Sequence, residues 1–232
     1  LLGTIVNFIA IIVGSVIGIV LKKGIPERYK DTIMQGIGLA TFLIGLKMGF
    51  KANNELIVIL SLVIGGIMGE ILKIDYHLDA FGEVLQKKVG SEDGDFVKGF
   101  VSSSLIFCIG AMAILGAIES GLLGNHKILF AKSALDFITS IVLSSSLGLG
   151  VMFSSIPVFI YQGSITLLAS GLKDILIEPV VNYMTATGGM LIVGIGINIL
   201  GIKKINVANL LPAIFVAVAL VFLVLRWFPD YI

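Results

Sequence analysis

Charge is what this sequence has least of. Asp, Glu, Lys and Arg make up only 13% of its 232 residues, 57% are hydrophobic, and the mean hydropathy is +1.07. Soluble domains carry about a quarter charged residues, so a water-soluble globular fold is excluded. The formal net charge of +1 speaks against a nucleic-acid partner, because polyanion-binding domains gather many Lys and Arg on one face. A single cysteine, Cys108, cannot close an intrachain disulfide, and inside an apolar run it reads as a small buried residue. The only two histidines, His77 and His126, fall in polar connections and cannot form a clustered metal site without carboxylates. There is no H-E-x-x-H, no G-x-S-x-G and no P-loop. We therefore expect no enzymatic activity, no cofactor and no ATP-driven step. Alternating ten-residue strands are also lacking, which excludes a transmembrane barrel.

What is present is a series of apolar runs about 20 residues long, the length that crosses a bilayer as helix. Breaks rich in charge, Gly or Asn divide them into eight candidate spans: Thr4–Leu21, Thr32–Phe50, Leu56–Leu72, Val97–Ile118, Leu129–Leu149, Val151–Leu172, Val180–Ile202 and Val207–Phe228. The expected fold is an all-α polytopic membrane protein, a single integral membrane domain with about eight transmembrane helices. The first run has neither a basic flank nor an A-x-A-like site before its end and is expected to be a retained span. The fifth and sixth runs meet at Gly148–Ser155 without a charged loop, so either a very tight turn or, as the expected fold has it, a discontinuous helix lies near 144–157.

Lys and Arg concentrate in alternate loops: Lys22, Lys23, Arg28 and Lys30 in the first, Lys73, Lys87, Lys88 and Lys98 in the third, Lys203 and Lys204 in the seventh. Cytoplasmic loops hold this excess, which predicts odd loops inside and both termini outside. In the third loop, residues 74–96, DAFGEVLQKK sets Phe81, Val84 and Leu85 at helical spacing against charges. An amphipathic interfacial helix and a plain loop are both compatible with it, followed by the solvated linker SEDGD. Pro26 in KKGIPERYKDT is placed to start a short surface helix.

Related phrases recur at Thr41 (TFLIGLKMGF), Ile106 (IFCIGAMAIL) and Leu191 (LIVGIGINIL). Gly14-Ser15 aligns with Gly163-Ser164, Met34 with Met184 and Ile44-Gly45 with Ile195-Gly196, all at an offset of about 150 residues. Spans one to three (1–73) thus resemble spans six to eight (151–232), with 97–150 as an intervening pair. The odd separation makes this an inverted repeat, a recurrent plan of secondary transporters. Glycines four apart, Gly14/Gly18, Gly45/Gly49 and Gly65/Gly69, favour close helix packing, within the chain or between copies in a homo-oligomer.

Ionisable and polar residues inside such runs are costly and mark candidate sites. Lys132 and Asp136 lie four apart on one helix face, either as a self-neutralising pair or with Asp136 as a cation or proton site. Ser144, Ser145 and Ser146 can bond back to the previous turn, or, before Leu147–Gly150, can free backbone groups for a ligand. Gln162 would meet that break, and Pro157 loosens it. Lys47 either snorkels to the interface or, with its repeat counterpart Asn198, flanks a cavity. Glu119, at a helix end, is solvated or guards an entrance.

The words GTIVNFIAIIVGSVIGIVLKKGIPERYKDTIMQGIGLATFLIGLKM, FCIGAMAILGAIESGLLGNHKILFAKSALDFITSIVLSSSLGLGV and IPVFIYQGSITLLA resemble the bacterial membrane proteins of the domain-of-unknown-function 554 family across essentially the whole chain. The resemblance implies a bacterial inner-membrane protein, often described as a transport protein, and carries over no site residues. The expected function is a secondary transporter or facilitator of a small polar solute or ion. An ion channel, or a scaffold or sensor acting through 74–96, are the alternatives.

Overall fold

The computed structural model describes residues 1–22, 27–91, 94–109, 111–172 and 174–227, and among these there is no strand. The helices are α1 Leu2–Lys22, α2 Glu27–Gly49, α3 Glu55–Leu72, α4 Ile74–Val89, α5 Phe96–Cys108, α6 Ala111–Leu122, α7 Lys127–Leu147, α8 Gly150–Phe153, α9 Ser155–Leu167, α10 Ala169–Leu172, α11 Glu178–Ile199 and α12 Pro212–Trp227, with a 3-10 turn at Val207–Leu210.

Their patterning is that of a membrane protein. Along α1 the exposed stripe is Ile5, Ile9, Val13, Val16 and Val20, whereas Thr4, Asn7, Gly14, Ser15 and Gly18 are buried. A helix in water would put the aliphatic side chains inward. In lipid the hydrocarbon solvates them, and the small and polar residues turn toward protein partners. The same inversion holds on α3, with Ile59, Val63, Ile67 and Ile71 outward and Ser61, Gly65 and Gly69 inward.

Six helical segments are long and apolar enough to cross a bilayer: Leu2–Leu21, Glu55–Leu72, Lys127–Leu147, Gly150–Leu167, Glu178–Ile199 and Val207–Trp227. Two of the eight expected runs are not among these six. The run Val97–Ile118 is not one rod, since α5 stops at Cys108, Ile109 is extended, and the pair α5/α6 is bent by 59°, so it is at most a broken seventh span. The second run is the latter part of α2, a helix that opens with the polar stretch Glu27–Asp31, and it is not among the six. The surface helix expected at Pro26 and the acidic part of the SEDGD linker lie outside the described residues. The third loop is helical: α4 buries Gly82 against Val97, sets Phe81 on Phe100 at 6.0 Å between rings, and ends in Lys87 and Lys88.

The chain forms two compact units interleaved in sequence, residues 1–37 with 79–173 and residues 38–78 with 174–232. In the first, α1 and α7 run parallel in close contact. Gly3 meets Leu129, Gly14 meets Phe137 and Ser140, and Gly18 meets Ile141 and Ser144, where a Cβ on either of the latter two glycines would strike a backbone carbonyl. α9 runs antiparallel to α1, with Phe8 edge-on to Phe159 at 5.4 Å. The two runs meet in a tight turn and not in a discontinuous helix: α7 ends on Gly148 at φ 72°, a backbone conformation that favours glycine, and the chain reverses through the four-residue α8 into α9. The run expected from Val151 to Leu172 is accordingly three helices.

In the second unit, α11 is buried along most of its length. The 38–49 half of α2 packs antiparallel to it through Gly38, Gly45, Gly189 and Gly196. α3 and α12 are also antiparallel, Gly65 lying on Ala213 and Gly69 on the backbone of Asn209. Ile57, Val58, Val180, Tyr183, Ala186 and Val221 form an apolar cluster between them. All three glycine pairs read from the sequence therefore place members in contacts within one chain.

Candidate functional site

The interior of the first unit holds the only ion pair found among the described residues. Lys132 and Asp136 occupy one face of α7 because four residues make about one turn. Lys132 Nζ donates to Asp136 Oδ1 at 2.9 Å and to Oδ2 at 2.6 Å, with both residues 6% exposed. Removing two charges from water is expensive, and the pair is held by further hydrogen bonds as such pairs must be. Asn7 Nδ2 on α1 donates to Asp136 Oδ2 at 3.0 Å and to Gln162 Oε1 on α9 at 3.2 Å. The carboxylate fixes this chain of contacts: Asn7 must present its NH2 to Asp136, and Gln162 must then present its oxygen to Asn7. Three helices are thereby tied at one point.

The fixed orientation leaves groups over. Asn7 Oδ1 and Gln162 Nε2 are buried without a hydrogen-bond partner, as are the hydroxyls of Thr4 on α1 and Thr166 on α9. Thr4 and Asn7 share a face of α1, Gln162 and Thr166 share a face of α9, and the antiparallel register sets the two pairs opposite one another. Cys108, at the end of α5 where the α5/α6 break begins, lies within electrostatic reach of both Lys132 and Asp136, and Tyr161 within reach of Cys108.

The other sequence candidates take different places. Ser144 is inside α7, four residues before Gly148; its hydroxyl donates to the Ser15 carbonyl at 3.1 Å and also lies on the Ser140 carbonyl. Ser145 bonds back to the Val142 carbonyl at 2.7 Å, and Ser146 is half-buried in the same helix. The turn at Gly148 lies beyond the serines, of which Ser144 and Ser145 bond within the helix packing. Gln162 reaches the ion pair through Asn7 and not the break. Lys47 is exposed. Asn198 is spent on the backbone of Ile205, donating to its carbonyl at 2.8 Å and accepting from its N–H at 2.7 Å. The antiparallel register separates Lys47 and Asn198 by roughly 13 Å along the axes at 1.5 Å per residue. Glu119 accepts from Asn125 Nδ2, and Ser120 bonds His126 Nδ1 at 2.9 Å, which clamps the α6–α7 turn. Among the described residues no cluster of three or more His, Cys, Asp or Glu could hold a metal ion.

Asn7, Thr4 and Thr166 escaped sequence reasoning. The available signal was Asn7 itself, the one carboxamide in the first apolar run, at a position where an unpaired amide in lipid is costly.

No solved structure matches the chain. Two curated relatives do: the uncharacterized membrane protein YdfK of Bacillus subtilis, 36% identical with 96% of each chain covered, and the uncharacterized protein YqgA of Escherichia coli, 31% identical with 98% of this chain and 99% of the relative covered. The family described as "Protein of unknown function (DUF554)" matches residues 2–222, and with apolar helices turned inside out around a buried polar centre, the chain belongs to that family of membrane proteins.

Proposed function

We propose that this protein is a secondary transporter or facilitator of a small polar solute or ion across the bacterial inner membrane, with its site at the Lys132–Asp136–Asn7–Gln162 network. The observation that carries the reading is that network's incomplete satisfaction: a desolvated ion pair and two carboxamides leave donors and acceptors facing protein interior instead of water or one another. A purely structural network in lipid would gain by closing on itself. The break at Ile109 in the same unit adds the discontinuous helix such sites use.

An eight-span inverted repeat goes with this proposal. Chain directions support the count. Eight alternating spans, with α2 and the bent α5/α6 pair included, run α1 parallel to α7 and α2 and α3 antiparallel to α11 and α12, as their contacts require; six spans alone would run α3 parallel to α12. The glycines support the repeat. A Cβ built on Gly189 would sit 2.7 Å from the Gly45 carbonyl oxygen, and one built on Gly196 would sit 3.0 Å from the Gly38 carbonyl oxygen. Under the offset that pairs Gly45 with Gly196, Gly38 pairs with Gly189, so each contact is the counterpart of the other, as across a two-fold axis. The Lys and Arg distribution then puts both termini outside.

The test is flux in liposomes. Asp136→Asn keeps the shape and the Asn7 contact but removes the charge that holds Lys132; coupled solute or proton flux should fall by an order of magnitude or more, with the helical circular dichroism intact. Unaltered flux in a folded Asp136→Asn protein would remove the site assignment, and absence of flux for every solute class in the native protein would remove the transport reading.

A further inference from the structure

Resting on that site, we propose that it takes a solute with no net charge, one that presents a carbonyl oxygen beside an N–H, and that it binds between α1 and α9 next to Gly163.

Charge decides the first half. Lys132 and Asp136 already neutralise each other at hydrogen-bond distance, and Asn7 adds a further donor to the carboxylate. A net-charged solute would enter a desolvated site that offers no free countercharge, and breaking the pair to provide one would strand the other member. The groups left over are neutral: the acceptor Asn7 Oδ1, the donor Gln162 Nε2, and the hydroxyls of Thr4 and Thr166, which can act either way. All four residues are more than nine-tenths buried. An amide-like edge satisfies them, its oxygen accepting from Gln162 Nε2 and its N–H donating to Asn7 Oδ1.

Space decides the second half. Most buried glycines here are pressed against a neighbouring backbone or side chain, as Gly14, Gly18, Gly45 and Gly69 are. Gly163 follows Gln162 on α9 and is buried, yet a Cβ built on it would meet nothing nearer than the flexible tip of Leu1, Cδ2 at 3.9 Å. Helix packing therefore does not account for this glycine. Room of at least a methyl group lies beside the unpartnered amide and in line with Thr166, one turn further on, and Leu1 closes the α1 end.

The same geometry supplies a variant that should fold. Gly163→Ala fits sterically and raises helix propensity, but its methyl occupies the proposed space. The probes are acetamide, acetate and acetamidinium, which share shape and differ in charge, each added to the purified full chain in detergent at constant ionic strength. Acetamide should raise the melting temperature saturably, by roughly 2–4 °C near saturation. Acetate and acetamidinium should give no saturable rise, and Gly163→Ala should abolish the acetamide effect while melting no lower than the native chain. Equal or larger stabilisation by either ion, no acetamide effect, or an unchanged effect in Gly163→Ala would each overturn the proposal. Parallel liposome assays separate it from the transport reading. Saturable acetamide binding without protein-dependent acetamide flux sinks transport and keeps the neutral-solute site; protein-dependent flux of an ion with no acetamide binding does the reverse.

Discussion

The two compact units solve the same packing problem with different interiors. Both turn aliphatic side chains outward and bring helix backbones together through small residues: Gly14 and Gly18 on Ser140 and Ser144 in one, Gly38 and Gly45 on Gly189 and Gly196 in the other. What they enclose differs. The second unit encloses Ile57, Val58, Val180, Tyr183, Ala186 and Val221, and its buried Asn209 lies at a helix end, bonded to Glu70 and to the Asp75 N–H. The first encloses an ion pair and two carboxamides in mid-helix. A glycine-packed interior without a buried charge is sufficient for a membrane bundle, as in the second unit, whose buried polar residues among those described are Thr41, Ser61, Thr185, Thr187 and Asn209. The polar centre of the first is thus an expense the fold does not require, and this contrast is the physical ground for assigning function there.

The sharpest way to break the contrast is to remove the charges. Asp136→Leu leaves Lys132 buried without a partner, and losses of about 3–5 kcal/mol follow such a change in other proteins. We expect the largest destabilisation of any single substitution considered, measured by reversible unfolding in mixed detergent. Lys132→Met combined with Asp136→Leu should recover most of that loss, since no charge then remains buried, while flux stays abolished. Recovery of flux as well would reduce the pair to a fastening and erase the difference between the units.

Glycine substitutions come next in size and should act on stability alone in the second unit. A Cβ at Gly45 would sit 2.6 Å from the Val193 nitrogen and 2.7 Å from the Gly189 oxygen. Gly45→Ala must therefore push α2 from α11, at about 1–3 kcal/mol by analogy with overpacked cores. If the reciprocal contact at Gly196 is its symmetry mate, Gly196→Ala should cost a similar amount in the same unfolding assay. A difference larger than about 2 kcal/mol between the two would argue against the two-fold relation.

Much of this architecture could be read from the residues, and what could not has a common cause. Run length and composition locate helices because a bilayer demands both. The Lys132–Asp136 pair was legible because four-residue spacing is a local property, and so was the glycine at which the chain turns, although that turn joins two spans and does not interrupt one. Of the two readings of the serines, bonding back to the previous turn is the one Ser144 and Ser145 take, on the Ser140 and Val142 carbonyls, with Ser144 also reaching across to Ser15. Asn7 and Gln162 are separated by most of the chain, and only the α1/α9 register brings them together. Spacing along a sequence cannot supply such a register. Lys47 and Asn198 show the converse error, since an aligned repeat gives correspondence between positions and not proximity. The kink at Ile109 was hidden because its flanks are as apolar as any span.

The smallest effects test whether the hydroxyls in the two interiors are equivalent. Ser144 Oγ reaches the Ser15 carbonyl across the α1/α7 contact, whereas Thr185 and Thr187 on α11 have buried hydroxyls without partners. Interhelical hydrogen bonds inside membrane proteins contribute about 0.6 kcal/mol on average. Ser144→Ala should therefore destabilise by roughly that amount, partly offset because alanine fits the same small-residue contact. Thr187→Val replaces a buried unpartnered hydroxyl by a methyl of similar volume, so its unfolding free energy should stay level or rise by up to about 1 kcal/mol. Opposite signs at the two sites would show that the second unit tolerates loss of polarity where the first depends on it. A loss at Thr187 as large as at Ser144 would mean that α11 also uses its hydroxyls, and the polar centre would then no longer be confined to the first unit.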